Sequence, residues 1–418
     1  MNNFKRYERY KDSGVEWIGE IPEGWKVSKL KYLIYCLDGK RVPLSSEQRG
    51  EMQGDIPYWG ANCIIDYVND WVIDGEVVLL GEDGAPFFDK YKDVAFYSNE
   101  KIWPNNHVHI LRTLQSINAK FLTYILNTVD YRNYIKGSTR DKLTQSEMKN
   151  IFIQLPSIQE QTAIANFLDQ KTAEIDDLIA YKEKLIELLQ EKRQAVITEA
   201  VTKGLNPNAK MKDSGIEWIG KIPEGWEITK LKYICSITMG QSPKSEEYSL
   251  EETELPFLQG NAEFTDLYPQ PKIFCDTANK RSKVNDILLS VRAPVGKFNI
   301  SDRVYGIGRG LCAITAQKVY LKYLWYSMNV SLEELSINSK GSTFEAVTVA
   351  DVSNLSAIVP PMNEQISIAN FLEQKTAEID SLVSEIQAQI QKLKEYRQSL
   401  IFEVVTGKID VRDCASIS

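Results

Sequence analysis

Histidine is almost missing from this chain: 418 residues contain two, His107 and His109. Strand alternation places this HxH on one face. Two imidazoles with no nearby cysteine make a poor metal site, so a structural or hydrogen-bonding role is expected. The six cysteines (Cys36, Cys63, Cys235, Cys275, Cys312, Cys414) are scattered, with no CxxC, and read as reduced thiols rather than disulfides or metal ligands. No apolar run approaches the length that crosses a bilayer. The opening MNNFKRYERY has no apolar signal core. A cytoplasmic location without membrane contact is therefore expected. There is no Walker A loop, and Gly306, Gly308 and Gly310 have the wrong spacing for a dinucleotide fingerprint. Carboxylates are plentiful, but Glu82-Asp83, in a turn, is an acid pair without a partner lysine, histidine or metal cluster; it reads as turn-forming rather than as catalytic or as an acceptor from cytosine. These absences argue for a binding protein rather than an enzyme.

Basic surplus is also lacking, since the formal charge is −8. A polyanion meets patch charge, however, not the total. Lys272 to Arg309 carries eight basic residues against three acidic ones.

What the chain does have is an internal duplication. EQTAIANFLDQKTAEIDDLI from Glu160 and EQISIANFLEQKTAEIDSLV from Glu364 agree at roughly 15 of 20 positions, at an offset of 204. KDSGVEWIGEIPEGWKVSKLKYLI (11–34) and KDSGIEWIGKIPEGWEITKLKYIC (212–235) agree at roughly 17 of 24. Trp17, Trp25, Trp218 and Trp226 in these boxes read as packing residues beside a fixed Pro-Glu-Gly-Trp turn. The stretches from Glu160 to Gly204 and from Glu364 to Gly407 read as long amphipathic helices, each about 60 Å. Their proposed seams are Ile164, Leu168, Ile175, Leu178, Leu185, Leu189 and Val196, and Ile368, Leu372, Ile379, Leu382, Ile386, Leu393, Tyr396 and Leu400. Ser157 with Glu160 reads as a capping box and Asn363 as the second cap. Gly204 and Gly407 fit left-handed C-terminal positions. Pro360-Pro361 reads as helix-start punctuation.

Between these frames lie unlike middles with short strand patterns: Ile64–Val68, Val77–Leu80 and His107–Leu111 in one, Ile287–Val291 and Leu311–Thr315 in the other. Short helical patterns follow at Ala119–Thr128 and Leu321–Asn329. GEDGAPFFDK (81–90) faces SVRAPVGKFN (290–299), one acidic and the other basic. The expected fold is α+β: two globular α/β domains separated by a pair of long antiparallel coiled-coil helices, with a pseudo-twofold repeat. Expected boundaries are 1–157, 158–204 (helix one), 205–361, 362–407 (helix two) and a tail, 408–418. Connectivity makes the helices antiparallel and returns the C-terminus to the first globule.

The paired Trp-Ile-Gly…Ile-Pro-Glu-Gly-Trp boxes, paired Lys-Gly-Ser-Thr segments (136–139, 340–343) and paired Ile-Ala-Asn-Phe-Leu helices carry a resemblance. The whole chain resembles the specificity subunits of type I restriction–modification systems. That resemblance implies two target-recognition domains, each reading half of a bipartite double-stranded DNA sequence, with the helices setting the spacer. It implies as partners two modification (methyltransferase) subunits, which use S-adenosylmethionine, and restriction subunits, which use ATP and Mg. This chain itself would bind no cofactor and catalyse nothing.

The residues supply candidate contacts. Arg292, Lys297, Arg303 and Arg309 lie near glycines, where backbone approaches phosphate or guanidinium reaches guanine. Asn62, Asn105, Asn106 and His107 are candidates for reading base edges, with Asn261 matching Asn62. Arg132, Lys136 and Arg140 are candidates to hold phosphates. Lys136, Ser138 and Thr139, with Lys340, Ser342 and Thr343, form the phosphate-positioning set. Two other readings are a coiled-coil adaptor spacing two protein partners and a degenerate enzyme with acidic sites in each globule.

Overall fold

The computed structural model describes residues 4–135, 141–217, 219–338 and 347–412. It divides into two units: Met1–Lys184 with Ile386–Ser418, and Leu185–Glu385. Each unit therefore combines one globule with part of each long helix.

In the first unit, the central strand Val77–Gly81 is buried at every position. It reads as a continuous apolar run because both of its faces are covered. It pairs antiparallel with Val108–Thr113 and Ala95–Ser98, and Ile34–Cys36 completes the four-stranded sheet beside Val108–Thr113. A second sheet orders Ile64–Val68, Gln53–Trp59 and Trp103–Pro104, the last pairing parallel. Lys26–Lys29 pairs with Phe152–Leu155, joining the repeated box to the strand that precedes the long helix.

The second unit repeats this topology. Cys235–Met239, Leu311–Ala316, Ile287–Ser290 and Phe298–Ile300 form its four-stranded sheet in the same order. Ile273–Phe274, Pro256–Leu258 and Gly306–Ile307 form its three-stranded sheet, and Glu227–Lys230 pairs with Ser356–Val359. The unlike middles thus adopt one fold. Its core joins Ile197 and Val201 to Trp226, Tyr323, Ile368 and Leu372. The helix expected to end near Asn329 runs from Leu321 to Asn338.

The long helices span Ile158–Lys203 and Met362–Val405, 46 and 44 residues. Within the first unit Asp176 pairs with Arg397 (2.9 Å) and Lys182 donates to Gln389 (2.7 Å). Within the second, Arg193 pairs with Asp380 (3.0 Å). In the first unit one number rises as the other falls, so the helices there are antiparallel. The seam differs in detail from the expected one. Leu178, Leu382 and Tyr396 are exposed, while Thr172, Ile179, Thr376 and Ile390 are buried. A strict three–four alternation runs through polar threonine positions that an apolar-only pattern skips.

The caps also differ. Ser157 Oγ accepts from Glu160 N (3.3 Å), but the Glu160 carboxylate accepts from Trp25 instead of closing a capping box. The second helix begins at Met362, which places Asn363 inside it. Gly204 and Gly407 adopt φ of 75° and 72°, the left-handed conformation expected of them. Trp25 and Trp226 are buried and Trp17 is half-buried; Trp218 lies outside the described residues.

Among the described residues the five cysteines are unpaired. Burial pushes the Cys235 thiol up to about 12, and does the same for Cys312. Cys414 lies outside the described residues. No helix among these residues is long and apolar enough to cross a membrane.

Candidate nucleic-acid interface

Each unit gathers the loops at one end of its two larger sheets. In the first, Val108 stands opposite Gly81, and the His107 carbonyl accepts from the backbone of Glu82 (2.8 Å). Asn105 N donates to the Trp59 carbonyl (3.0 Å). The turns holding Asn62, Glu82-Asp83 and Asn105–His107 therefore share one edge. Asn62 and Asn106 are exposed and His107 is half-buried, its Nδ1 3.7 Å from Asp83. Asn105 is buried, and its Oδ1 accepts from His107 N (2.8 Å). It shapes the turn that presents its two neighbours.

Beneath that turn lies a charge network with no counterpart in the sequence reading. His109 is fully buried, with Nδ1 2.7 Å from Asp38 Oδ2 and Nε2 2.9 Å from the Leu143 carbonyl. Both partners are acceptors, so both ring nitrogens donate. HxH does not place two histidines on one face: His107 stands in the turn and His109 points inward from the strand. The Arg41 guanidinium binds the Glu82 carboxylate, the Val108 carbonyl (3.2 Å) and the Asp38 carbonyl (3.0 Å). Lys142 closes on Glu82 at 3.3 Å. Burial pushes the Asp38 carboxyl up, but the His109 hydrogen bond, its charge, the Ile110 amide and Arg41 hold it well below the ordinary range. Burial opposes Glu82 similarly, and Arg41, His109 and Lys142 lower it.

Glu82 therefore has the cationic partners that its local sequence lacks. They come from positions 41, 109 and 142, beyond any local motif. Asp38, Glu82 and His109 have ligand atoms within 4.8 Å of one another, the spacing of a metal site. Both imidazole nitrogens are already committed to oxygens, and guanidinium occupies the carboxylates. The donor set fits an internal ion-pair network and does not fit a metal.

In the second unit, Val291 N donates to the Gly310 carbonyl (2.9 Å), Gly310 N to Gln259 (3.2 Å), and Arg309 N to Ser242 Oγ (3.2 Å). Glycine makes this convergence possible. A Cβ on Gly240 would lie 2.1 Å from the Gly308 oxygen, and one on Gly310 would lie 2.6 Å from the Gln259 oxygen. Of the glycines that fail as a phosphate fingerprint, Gly308 and Gly310 are thus contact points between backbones, while Gly306 packs against the side chains of Ala278 and Phe257. The first two carry Arg309 outward. Arg292 and Lys297 are exposed on the loop between Ile287–Ser290 and Phe298–Ile300, and Asn261 is half-buried in the adjoining turn. Among the described residues, no carboxylate pairs with Arg292, Lys297 or Arg309.

Two predicted contacts stand apart. Arg303 follows Phe298–Ile300, at the opposite end of that hairpin, and meets Asp302 at 3.4 Å. Arg132 is clamped by its neighbour Asp130, Nε at 2.8 Å and Nη2 at 2.6 Å. Lys136, Ser138, Thr139, Arg140, Lys340, Ser342 and Thr343 lie outside the described residues.

Two unlike edges, one amide-rich over buried ions and one basic over glycines, sit on the same scaffold. The profile of the family described as the type I restriction modification DNA specificity domain matches twice, over residues 22–188 and 223–392. The chain belongs to this family. The chain is thus a type I restriction–modification specificity subunit. It is similar to a protein assigned as the type I restriction enzyme MjaX specificity subunit of Methanocaldococcus jannaschii. The two are 30% identical, over 98% of this chain and 97% of the relative. Specificity subunit S.HindORF215P of Haemophilus influenzae is 26% identical over 90% and 94%. Among solved structures, the HsdS subunit of Thermoanaerobacter tengcongensis matches with a TM-score of 0.51 and 22% identity, covering 93% of this specificity subunit and 98% of that chain. A chain from a study of complex assembly and conformational transition in the type I R-M system matches with a TM-score of 0.73. It is also 22% identical, and covers 93% of this chain and 99% of that one. These likenesses support the fold.

Proposed function

We propose that each unit reads one half of a bipartite double-stranded DNA target through the loop edge described above. The observation that carries this reading is one topology holding two edges of unlike chemistry, as two unlike half-sites require. The first edge offers Asn62, Asn106 and His107 to base edges; the second offers Arg292, Lys297 and Arg309 to phosphates and guanine. On this division, residues 1–157 and 205–361 recognise DNA, 158–204 and 362–407 set the spacer, and 408–418 form a tail.

The chain acts without catalysis of its own in the cytoplasm. Two modification subunits bring S-adenosylmethionine, and restriction subunits bring ATP and Mg. The relatives' names, specificity subunits of type I restriction enzymes, support the division between this chain and separate partner subunits. The chain's acidity suits a subunit whose partners supply part of the clamp on the duplex.

The test is salt dependence of DNA binding by the chain assembled with its modification subunits. Replacing both Arg292 and Lys297 with alanine is expected to lower the slope of log K against log salt by about 2, close to one per phosphate contact. Arg303→Ala, whose guanidinium already has Asp302, is expected to leave the slope within error. Salt-independent binding, or none, would favour the protein-adaptor reading.

A further inference from the structure

The duplication makes each unit a control for the other, and the two differ at the start of a long helix. In the first unit, Glu160 accepts from Trp25 Nε1 (3.1 Å) and from the Tyr7 hydroxyl (2.6 Å). The Tyr7 ring stands edge-on to Trp25, with centroids 5.7 Å apart, and the Arg412 guanidinium lies 5.0 Å over it. Phe4 packs edge-on against Phe167 at 5.9 Å. Asp410 N donates to the Lys5 carbonyl (2.9 Å), and Val411 is fully buried. The N-terminal arm and the segment after Gly407 thus meet and cover this corner together.

The second unit has the same frame. Trp226 Nε1 donates to Glu364 (3.0 Å), and Gly204 abuts Trp226 as Gly407 abuts Trp25. Among the described residues, the corresponding cover is missing. A single stretch, 205–210, runs directly from the end of the first long helix to the strand Met211–Asp213. The 201-residue offset puts Asn208 where Tyr7 stands and Leu205 where Phe4 stands. Six residues bridging the gap cannot also supply the mass of two separate segments.

What remains is a cavity of about 410 Å³, bounded by Leu205, Lys210, Trp226, Glu364 and Ser367. Exposure follows the same contrast: Glu160 is half-buried but Glu364 exposed, and Phe167 is buried but Phe371 only half-buried. Among the described residues, Trp226 is the only side-chain donor to Glu364, which leaves that carboxylate able to accept another.

We infer that this cavity is the seat for a tyrosine-bearing segment of a modification subunit, whose hydroxyl donates to Glu364 as Tyr7 donates to Glu160. The inference rests on the reading in which the chain assembles with modification subunits. The occupant's chemistry is taken from the filled copy: a flat ring against the tryptophan, a hydroxyl to the carboxylate and a cation over the ring. DNA does not fit, because Glu364 repels phosphate. A second copy of this chain is disfavoured because its own Tyr7 and Arg412 are already engaged within its first unit.

The test replaces Ser367 with the photo-crosslinker p-benzoylphenylalanine in the full chain, assembled with purified modification subunits and target DNA. A second preparation carries the crosslinker at Ala163, the equivalent position in the filled copy. Irradiation at 367 is expected to attach a modification-subunit peptide containing a tyrosine, and at 163 to crosslink within the chain. In the same complex, Glu364→Gln is expected to weaken association of the modification subunit about tenfold. Glu364 is exposed, so folding is not at stake. A crosslink from 367 to DNA or to a second copy, or none in a complex that still binds its DNA, overturns the inference and leaves the DNA-reading function standing. Failure of the chain to assemble with modification subunits at all overturns both.

Discussion

Asp38→Ala is expected to destabilise the first unit by about 3–5 kcal/mol, the cost of leaving buried charges without their partner. Asp38 is 8% exposed, and its carboxylate serves His109 Nδ1, Ile110 N and Gln145 Nε2 at 2.7, 3.0 and 3.2 Å, with Arg41 Nη2 at 3.7 Å. Its removal strands an imidazole and a guanidinium under the turn that presents Asn106 and His107. Two measurements check this. In urea, the transition of the first unit should move to lower denaturant while that of the second stays, so unfolding should separate into two steps. In methylation assays, discrimination within one half-site should fall while the other keeps its selectivity. Acid provides a third signature. Asp38 and Glu82 are both held below the ordinary carboxylate range in the folded state. Their contribution is therefore complete above the unfolded values, about 4, and is lost as pH falls through the folded ones. Circular dichroism should show acid unfolding of the first unit beginning below about pH 4, with a weaker pH dependence in Asp38→Ala. A variant within 1 kcal/mol of the parent would mean that the network is incidental.

The frame of the molecule was legible because it is written twice. The Pro-Glu-Gly-Trp turn and the left-handed Gly204 and Gly407 follow from local chemistry repeated at a fixed offset. The middles were legible only as strands. Their common topology is hidden because buried strands such as Val77–Gly81 and Ile287–Ser290 need only apolar bulk, which many sequences supply. The polar core of the first edge was invisible for another reason. Arg41, Glu82, His109 and Lys142 meet across large sequence separations, and no periodicity records such a meeting. Local context misleads in the other direction at Arg132 and Arg303, which look free in a string but are held by Asp130 and Asp302 next to them. At Gly308 and Gly310 residue type was informative but its meaning was not: the absent side chain makes room for backbone rather than for phosphate.

Removing one heptad from each long helix, Asp177–Glu183 together with Ile390–Tyr396, is expected to shorten the DNA spacer and leave both half-sites unchanged. The two segments face each other, since Asp176 pairs with Arg397 and Lys182 with Gln389. The paired deletion keeps the three–four phase of the seam and preserves the Asp176–Arg397 contact. Seven residues of helix are about 10.5 Å, or roughly three base pairs at 3.4 Å each along one strand. The change costs some buried surface, chiefly Ile179 and Ile390, but each unit keeps the box and the helix ends that pack against it. Sequencing the methylated sites made by the assembled complex reads spacer and half-sites together. The same half-sites at the old spacing would show that the helices do not set it, and altered half-sites would make them part of the reader. Deleting only Asp177–Glu183 separates these possibilities further. It slides one seam past the other by two turns, sets Arg193 and Asp380 against the wrong neighbours, and should abolish assembly rather than shorten the spacer.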